Sequence, residues 1–384
     1  MANTVINPVF YAKATQPFLR SALVMRKIAR TTFGNVLPNS QVVYPYVSTA
    51  RVQDYSYSTD ATIDAATFTT NGYTINKSKI VTQNYDPLQN MQATDMSWQT
   101  MMAEECAYQL QRNMDQYGLQ TGLDAALNTV AGGSLSSSNT FEALTSCRAT
   151  LDRSRAGTGA YFYVTDPTGV ATLANTDKAN GFDLADSTLK NGYVGSTSAG
   201  FKVYMSNDLP YSVPLTLITQ PTDGDTVTIY GKVFTFKTTL GVDAGQVLIG
   251  ANAAAAQANL RSAVNGTSGS GSTYIDLVTD DRRELQNAQV AMSAFSSNIA
   301  TITAYGKISG SETLTAVADV FGTETVQYLL GLEGAIDFTA QAEPEVEERL
   351  PTGNKSRNIL TTCQYGSGVF YRMKAKLVKL TANA

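Results

Sequence analysis

Histidine is absent from all 384 residues. Without imidazole the usual Ser-His-Asp and Cys-His arrangements cannot be built, and the commonest metal ligand is missing. Cysteine is scarce: Cys106, Cys147 and Cys363 are odd in number and far apart. That spacing argues against a disulfide framework and against a paired-cysteine zinc site, and it reads as reduced, buried thiols. No apolar run approaches the roughly 18 residues of a membrane helix. No Walker loop and no spaced-glycine dinucleotide fingerprint occurs. The opening "MANTVINPVFYAKATQPF" has neither a basic-then-apolar leader nor a small-residue cleavage site, so no secretory signal is expected. One absence is local. Residues 1–53 contain no Asp or Glu, but they carry Lys13, Arg20, Arg26, Lys27, Arg30 and Arg51 within a chain of net charge −4. Such a segment suits an acidic partner, either the phosphates of a nucleic acid or the acidic face of another subunit.

What remains reads as a folded, soluble chain: 43% hydrophobic residues and a mean hydropathy of −0.13. The length predicts two or three domains. Residues 1–50, broken by Pro8, Pro17 and Pro38, read as an extended arm with one short helix near residues 18–30. Residues 51–85 are rich in Thr, Tyr, Val and Ile. Alternation in "YTINKSKIV" and a turn signal at Asn71-Gly72 predict a long hairpin there. From Asp95 to Tyr117 the period changes. Trp98, Met101, Met102, Cys106, Leu110, Met114 and Tyr117 fall at steps of three and four, which predicts a helix capped by Thr94 or Asp95 and ended or bent at Gly118. The helical signal resumes in "TGLDAALNTV". A second helix is expected from a Thr140 cap, with the stripe Phe141, Leu144, Cys147 and Leu151.

"AYFYVTDPTGVATLAN" predicts a buried strand and a helix with Asp166 at its cap and Pro167 at its first position. "NGYVGSTSAGFKVYMSNDLP" is a turn–strand–turn cassette. Residues 215–308 read as a self-contained α+β module: a hairpin in "DGDTVTIYGKVFTFK", an alanine-rich helix, a flexible "GTSGSGS" loop, and strands in "QVAMSAF" and "NIATITAYG". A mainly helical run is expected from Leu314 to Leu332, then an extended segment from "GAIDFTAQAEPEVEERL". A closing strand, "VFYRMKAKLVKL", is expected to place Tyr371, Met373, Ala375 and Leu377 on one face and Arg372, Lys374 and Lys376 on the other.

The arrangements that resemble chemistry have simpler readings. Asp223-Gly224-Asp225 is the best cation candidate, but two acids about one glycine are ordinary hairpin-loop residues. Asp280-Asp281 before "RREL" read as a helix cap. Glu343, Glu345, Glu347 and Glu348 form an acidic strip on an extended segment, read as a solvated or inter-subunit face. No catalytic, metal or cofactor residue is assigned. Twenty tyrosines beside one tryptophan suit broad contact surfaces.

In order, the arm, hairpin, spine helix, strand–Asp-Pro–helix unit and cassette resemble the major capsid protein of tailed bacteriophages, the Hong Kong 97-like fold. The stretches that carry this are "YFYVTDP" at 161–167, "GFKVYMSNDLP" at 200–210 and "GAIDFTAQAEPEVEERLP" at 334–351. The resemblance covers about three-quarters of the chain and implies an α+β fold. Its parts would be an N-terminal arm (1–50), an extended hairpin loop (51–90), a peripheral domain with the spine helix (91–159), an axial domain (160–213, returning at 312–342) and C-terminal strands of the peripheral domain (343–384). Residues 215–308, an inserted domain, depart from the minimal fold.

The implied function is structural: self-assembly into hexamers and pentamers of an icosahedral shell around a double-stranded DNA genome, contacted without sequence preference. The implied partners are further copies, a portal, and scaffolding or decoration proteins. The implied location is the virion, assembled in the host cytoplasm, with no membrane. Lys13, Arg20, Arg26, Lys27 and Arg30 would contact a neighbouring subunit or the genome, with the neighbour favoured. Tyr73, Lys77 and Lys79 would lie at inter-subunit contacts of the hairpin. Some members of this family join a loop lysine to a neighbour's asparagine, but nothing in the sequence pairs Lys77 or Lys79 with Asn354 or Asn358, and no such bond is expected. Two alternatives stay open: an encapsulin-like compartment shell, and another phage structural β-protein of the tail or of adhesion.

Overall fold

The computed structural model describes residues 23–31, 41–54, 57, 62–85, 98–136, 138–154, 159–179, 193–196, 199–316, 320–349 and 357–384. A single turn of helix, α1 (Met25–Ile28), precedes three strands, β1 (Gln41–Val47), β2 (Phe68–Thr74) and β3 (Lys77–Tyr85). β1 and β2 form an antiparallel two-stranded ribbon of their own. The hairpin therefore begins earlier than the sequence indicated, and Asn71-Gly72 is not its turn. Gly72 lies in mid-strand opposite Val43. A Cβ there would come within 2.3 Å of the Val42 carbonyl oxygen, so the glycine serves close backbone approach. β3 does not return along β2. It joins β16 (Asp337–Arg349) and β17 (Arg357–Gly368) in a three-stranded antiparallel sheet of order β16-β17-β3.

The long helix α2 runs from Trp98 to Ala125 without a break at Gly118. Gly118 is needed for room: a Cβ would meet the Met25 side chain at 2.5 Å, so the glycine seats α1 against α2. The proposed caps Thr94 and Asp95 lie outside the described residues. Cys106, Leu110, Met114, Leu119 and Leu123 bury the inner stripe. After β4 (Asn128–Ser134) comes α3 (Thr140–Arg153), buried through Thr140, Leu144, Cys147 and Leu151. Thr140 is its first helical residue and not its cap; its hydroxyl donates back to the Ser136 carbonyl at 2.7 Å.

β5 (Tyr161–Thr165) is buried on both faces, as its unbroken apolar run predicts. α4 (Pro167–Ala179) follows, capped by Asp166, which accepts from the Gly169 N–H at 2.8 Å. The cassette supplies β6 (Tyr193–Ser196) and β7 (Phe201–Met205), with β7 parallel to β5. β8 (Pro210–Thr216) leads into β9 (Thr226–Ile229), β10 (Lys232–Lys237), β11 (Gln246–Leu248), α5 (Ala253–Asn265), α6 (Thr279–Asn287), β12 (Ala291–Met292), β13 (Ile299–Tyr305) and β14 (Ser311–Glu312). α5 is capped at both ends: Asn252 accepts from the Ala255 N–H, and Gly266 follows in left-handed conformation, φ 61°. Asp280 and Asp281 occupy the first turn of α6, two and three residues after its cap position Val278. The "GTSGSGS" segment folds onto the buried ring of Tyr274, whose hydroxyl reaches the Thr267 carbonyl.

None of the described residues of 314–332 is helical. β15 (Thr325–Leu332) is a central strand, and burial on both faces hides the alternation that would have identified it. The closing segment also differs: Tyr371–Lys376 is a 3-10 turn, and the last strand, β18 (Leu377–Asn383), starts only at Leu377.

The nine-stranded sheet runs β12-β13-β8-β15-β5-β7-β6, with β18 also on β15 and β4 parallel to β18. A separate four-stranded sheet has the order β11-β10-β9-β14. β13 pairs with β8 along seven residues, so the sheet of the flanking chain continues into the 215–308 module, and the buried core is continuous across it.

Candidate assembly surfaces

The β1–β2 ribbon is extended by side chains beyond its strands. Ser48 and Thr67 exchange hydrogen bonds, the Gln53 amide pairs with the Thr62 backbone through donors at 2.6 and 3.0 Å, and Arg51 forks onto Asp64 at 3.1 Å. These polar rungs leave the apolar residues outside. Val52 is 96% exposed, Tyr57 96%, Ile63 95% and Phe68 74%. A lone two-stranded ribbon is marginal in water. Here it projects a row of large apolar groups with no partner among the described residues.

Its base is anchored by a different chemistry. Val42, Ile75 and Phe370 form a small core with Tyr44 and Tyr73 packed on it. The Tyr44 and Phe370 rings meet edge-on at 4.3 Å, and Tyr46 stacks on Tyr371 at 5.6 Å. Arg372 lies over the Tyr46 ring and donates to the Val47 carbonyl at 2.5 Å. The Tyr73 hydroxyl meets the Thr339 hydroxyl at 2.7 Å, and burial pushes its pKa up to about 12.

Of the predicted arm residues, Arg30 joins this base. Its guanidinium lies over the Tyr44 and Phe370 rings and bonds the fully buried Asp337 carboxylate at 2.6 Å. That hydrogen bond raises the Arg30 pKa. Burial holds the Asp337 carboxyl above its ordinary value even though Arg30 pulls it down. Arg26 and Lys27 lie on α1; burial lowers the Lys27 pKa against the pull of Asp115. Lys13 and Arg20 lie outside the described residues. Lys77 sits over the Tyr117 ring at 5.3 Å, and Lys79 is exposed, opposite Cys363 in register. The backbone of Glu343, Glu345, Glu347 and Glu348 belongs to β16, and their side chains lie outside the description.

A second feature was not singled out from sequence: a polar joint between α2 and the cassette. Arg112 bonds Asp208 through both Nε and Nη2, and Gln116 adds a third donor at 3.2 Å. Gln116 in turn accepts from Gln289, whose backbone is left-handed at φ 50°. Asp208 is 1% exposed. A hint was available: "SND" follows a strand and interrupts an otherwise apolar run.

No group of three His, Cys, Asp or Glu side chains able to hold a metal occurs among the described residues. Asp223 and Asp225 turn to backbone N–H groups and to Lys237 and Thr315. Burial raises the pKa of Cys106, and that of Cys147 to about 12. No described helix is long and apolar enough to cross a membrane.

No family model matches the chain, and no curated protein matches it. Solved structures do. A structure from Mycobacterium phage Che8 aligns at a TM-score of 0.57 with 12% identity, covering 99% of this chain and 98% of that one. The capsid structure of cyanophage P-SCSP1u aligns at 0.54 with 11% identity, covering 98% and 93%. The asymmetric unit of the bacteriophage PhiM1 mature capsid aligns at 0.51 with 11% identity, covering 97% and 91%. The chain has the α+β fold of phage capsid proteins. At these identities the similarity is one of architecture, and it extends over nearly the whole length of both chains.

Proposed function

We propose that the protein is the major capsid protein of a tailed bacteriophage and that copies of it assemble into the icosahedral shell enclosing double-stranded DNA. The observation that carries this is the β1–β2 ribbon. Its rungs are satisfied and its base is locked, yet its apolar residues face outward, an arrangement that is stable when another subunit covers them. The full-length similarity to phage capsid structures supports the same reading. In Hong Kong 97-like terms, the ribbon is the extended loop, α2 the spine helix of the peripheral domain, and β5, β7, β8 and β15 the axial sheet. The 215–308 module is an inserted domain, and the basic arm rests on a neighbour. The role is structural, with no catalytic turnover, and the shell sits in the virion.

Negative-stain microscopy of the purified full-length protein tests this. Closed, uniform shells are expected, with subunit contacts above the roughly 2,000 Å² at which obligate interfaces begin. A monodisperse monomer that persists at high concentration would overturn it.

A further inference from the structure

Asp115 stands on the inner side of α2, fully buried, facing the first described residues of the basic segment. Its Oδ1 accepts the backbone N–H groups of Val24, at 3.0 Å, and Met25, at 2.5 Å. Its Oδ2 has no hydrogen-bond partner among the described residues. The carboxyl also borders a cavity of about 80 Å³ walled by Leu23, Met25, Arg26, Gln111, Met114 and Phe338, with room for water.

The charged groups around it do not form a closed pair with it. Lys27, on α1, is near enough to attract it, and Arg26 shares the cavity wall. Asp208, beyond α2, repels it but is itself committed to Arg112. A buried carboxylate with one oxygen unsatisfied is costly, whereas a carboxylic acid keeps both N–H bonds on Oδ1 and turns an O–H toward the cavity. We propose that Asp115 is a proton-operated latch, which holds residues 23–30 more tightly against α2 when protonated and loosens them as it ionises.

The sign follows from linkage. Burial pushes the docked carboxyl up to about 7, and an undocked aspartate titrates near its ordinary value of about 3.9. Docking is therefore strongest below about pH 4, weakens through the interval up to about pH 7, and is level above it. Asp337, at the far end of the segment beside Arg30, is also raised by burial and acts in the same direction. The latch does not depend on the capsid reading.

Hydrogen exchange of the full-length chain tests it, with rates corrected for intrinsic pH dependence. Protection of the Val24 and Met25 amides is expected to fall about a hundredfold between pH 4.5 and 6.5, and to stay level above pH 7.5. Asp115→Asn, which keeps the acceptor but cannot ionise, should remove at least tenfold of that change. Wild-type protection that is flat across the interval, or an Asp115→Asn protein that keeps the full wild-type change, would overturn the proposal.

Discussion

The Arg112 guanidinium of α2 closes on the Asp208 carboxylate at 2.6 Å, where the chain turns between β7 and β8. One ion pair thus ties α2 to the turn that leads into β8 and, beyond it, into residues 215–308. Arg112 is mostly buried and Asp208 almost wholly so. Asp208→Ala leaves a buried guanidinium unpaired and is expected to cost about 3–5 kcal/mol. Denaturant unfolding measures this, and a cycle with Arg112→Ala should return a coupling well above the roughly 0.5 kcal/mol of independent sites.

The ribbon should be dispensable for folding and required for assembly. Replacing residues 48–67 with a two-residue turn removes the exposed apolar tip and leaves β1, β2 and the Phe370 core in place. β3 must stay, because it is hydrogen-bonded to β17 from Lys77 to Tyr85. The expected product is a folded subunit that forms no shells by light scattering and microscopy. Normal shells would show that the tip is not a subunit contact.

Gly72 separates two readings of one dipeptide. As a turn residue it would tolerate alanine poorly because of its φ; as found, the obstacle is the Val42 carbonyl at 2.3 Å from a new Cβ. Gly72→Ala should pry β1 from β2 and speed amide exchange at residues 41–47, leaving the nine-stranded sheet as protected as before. Unchanged exchange in β1 would contradict this packing.

Much of the architecture was legible where a local signal has a single reading. Asp166-Pro167 fixed a helix start, and the apolar run from Ala160 to Val164 gave β5. The steps of three and four from Met101 to Tyr117 gave α2. Failures came where tertiary context sets the meaning. Gly118 reads as a stop but supplies room for Met25, and "TVQYLLGL" loses its alternation because both faces of β15 are covered. The base of the ribbon was out of reach for another reason: Arg30, Tyr73, Asp337 and Phe370 are brought together by long-range pairing with no short-range trace.

Burial predicts inert thiols. Cys106, Cys147 and Cys363 are all buried, and the Cys147 thiol is raised to about 12, so little thiolate is available near neutrality. A chromogenic disulfide reagent at pH 8 should label none of them in the native protein and all three in denaturant. Rapid native labelling of Cys147 would mean that α3 opens far more readily than its packing implies.

The last prediction concerns residues 215–308, proposed as an inserted domain. Its own sheet and two helices bury Val227, Ile229, Phe234, Phe236, Leu260, Val264 and Leu285, which by itself suggests a unit that could be cut away cleanly. The pairing argues otherwise. β8 meets β13 along seven residues but meets β15 at only two, Ser212 with Thr325 and Tyr211 with Val326. Removing residues 218–309 therefore strips β8 of its main partner and opens a strand edge beside Tyr211, Val213 and Leu215, all buried in the intact chain. An unpaired apolar edge of that kind recruits other strands. The excised chain is expected to aggregate, whereas a piece spanning residues 210–314, which keeps β8, β13 and β14 together, should give dispersed amide resonances. A soluble excised chain that still forms shells would show that β8 needs no support from the module, and the two would then be structurally independent.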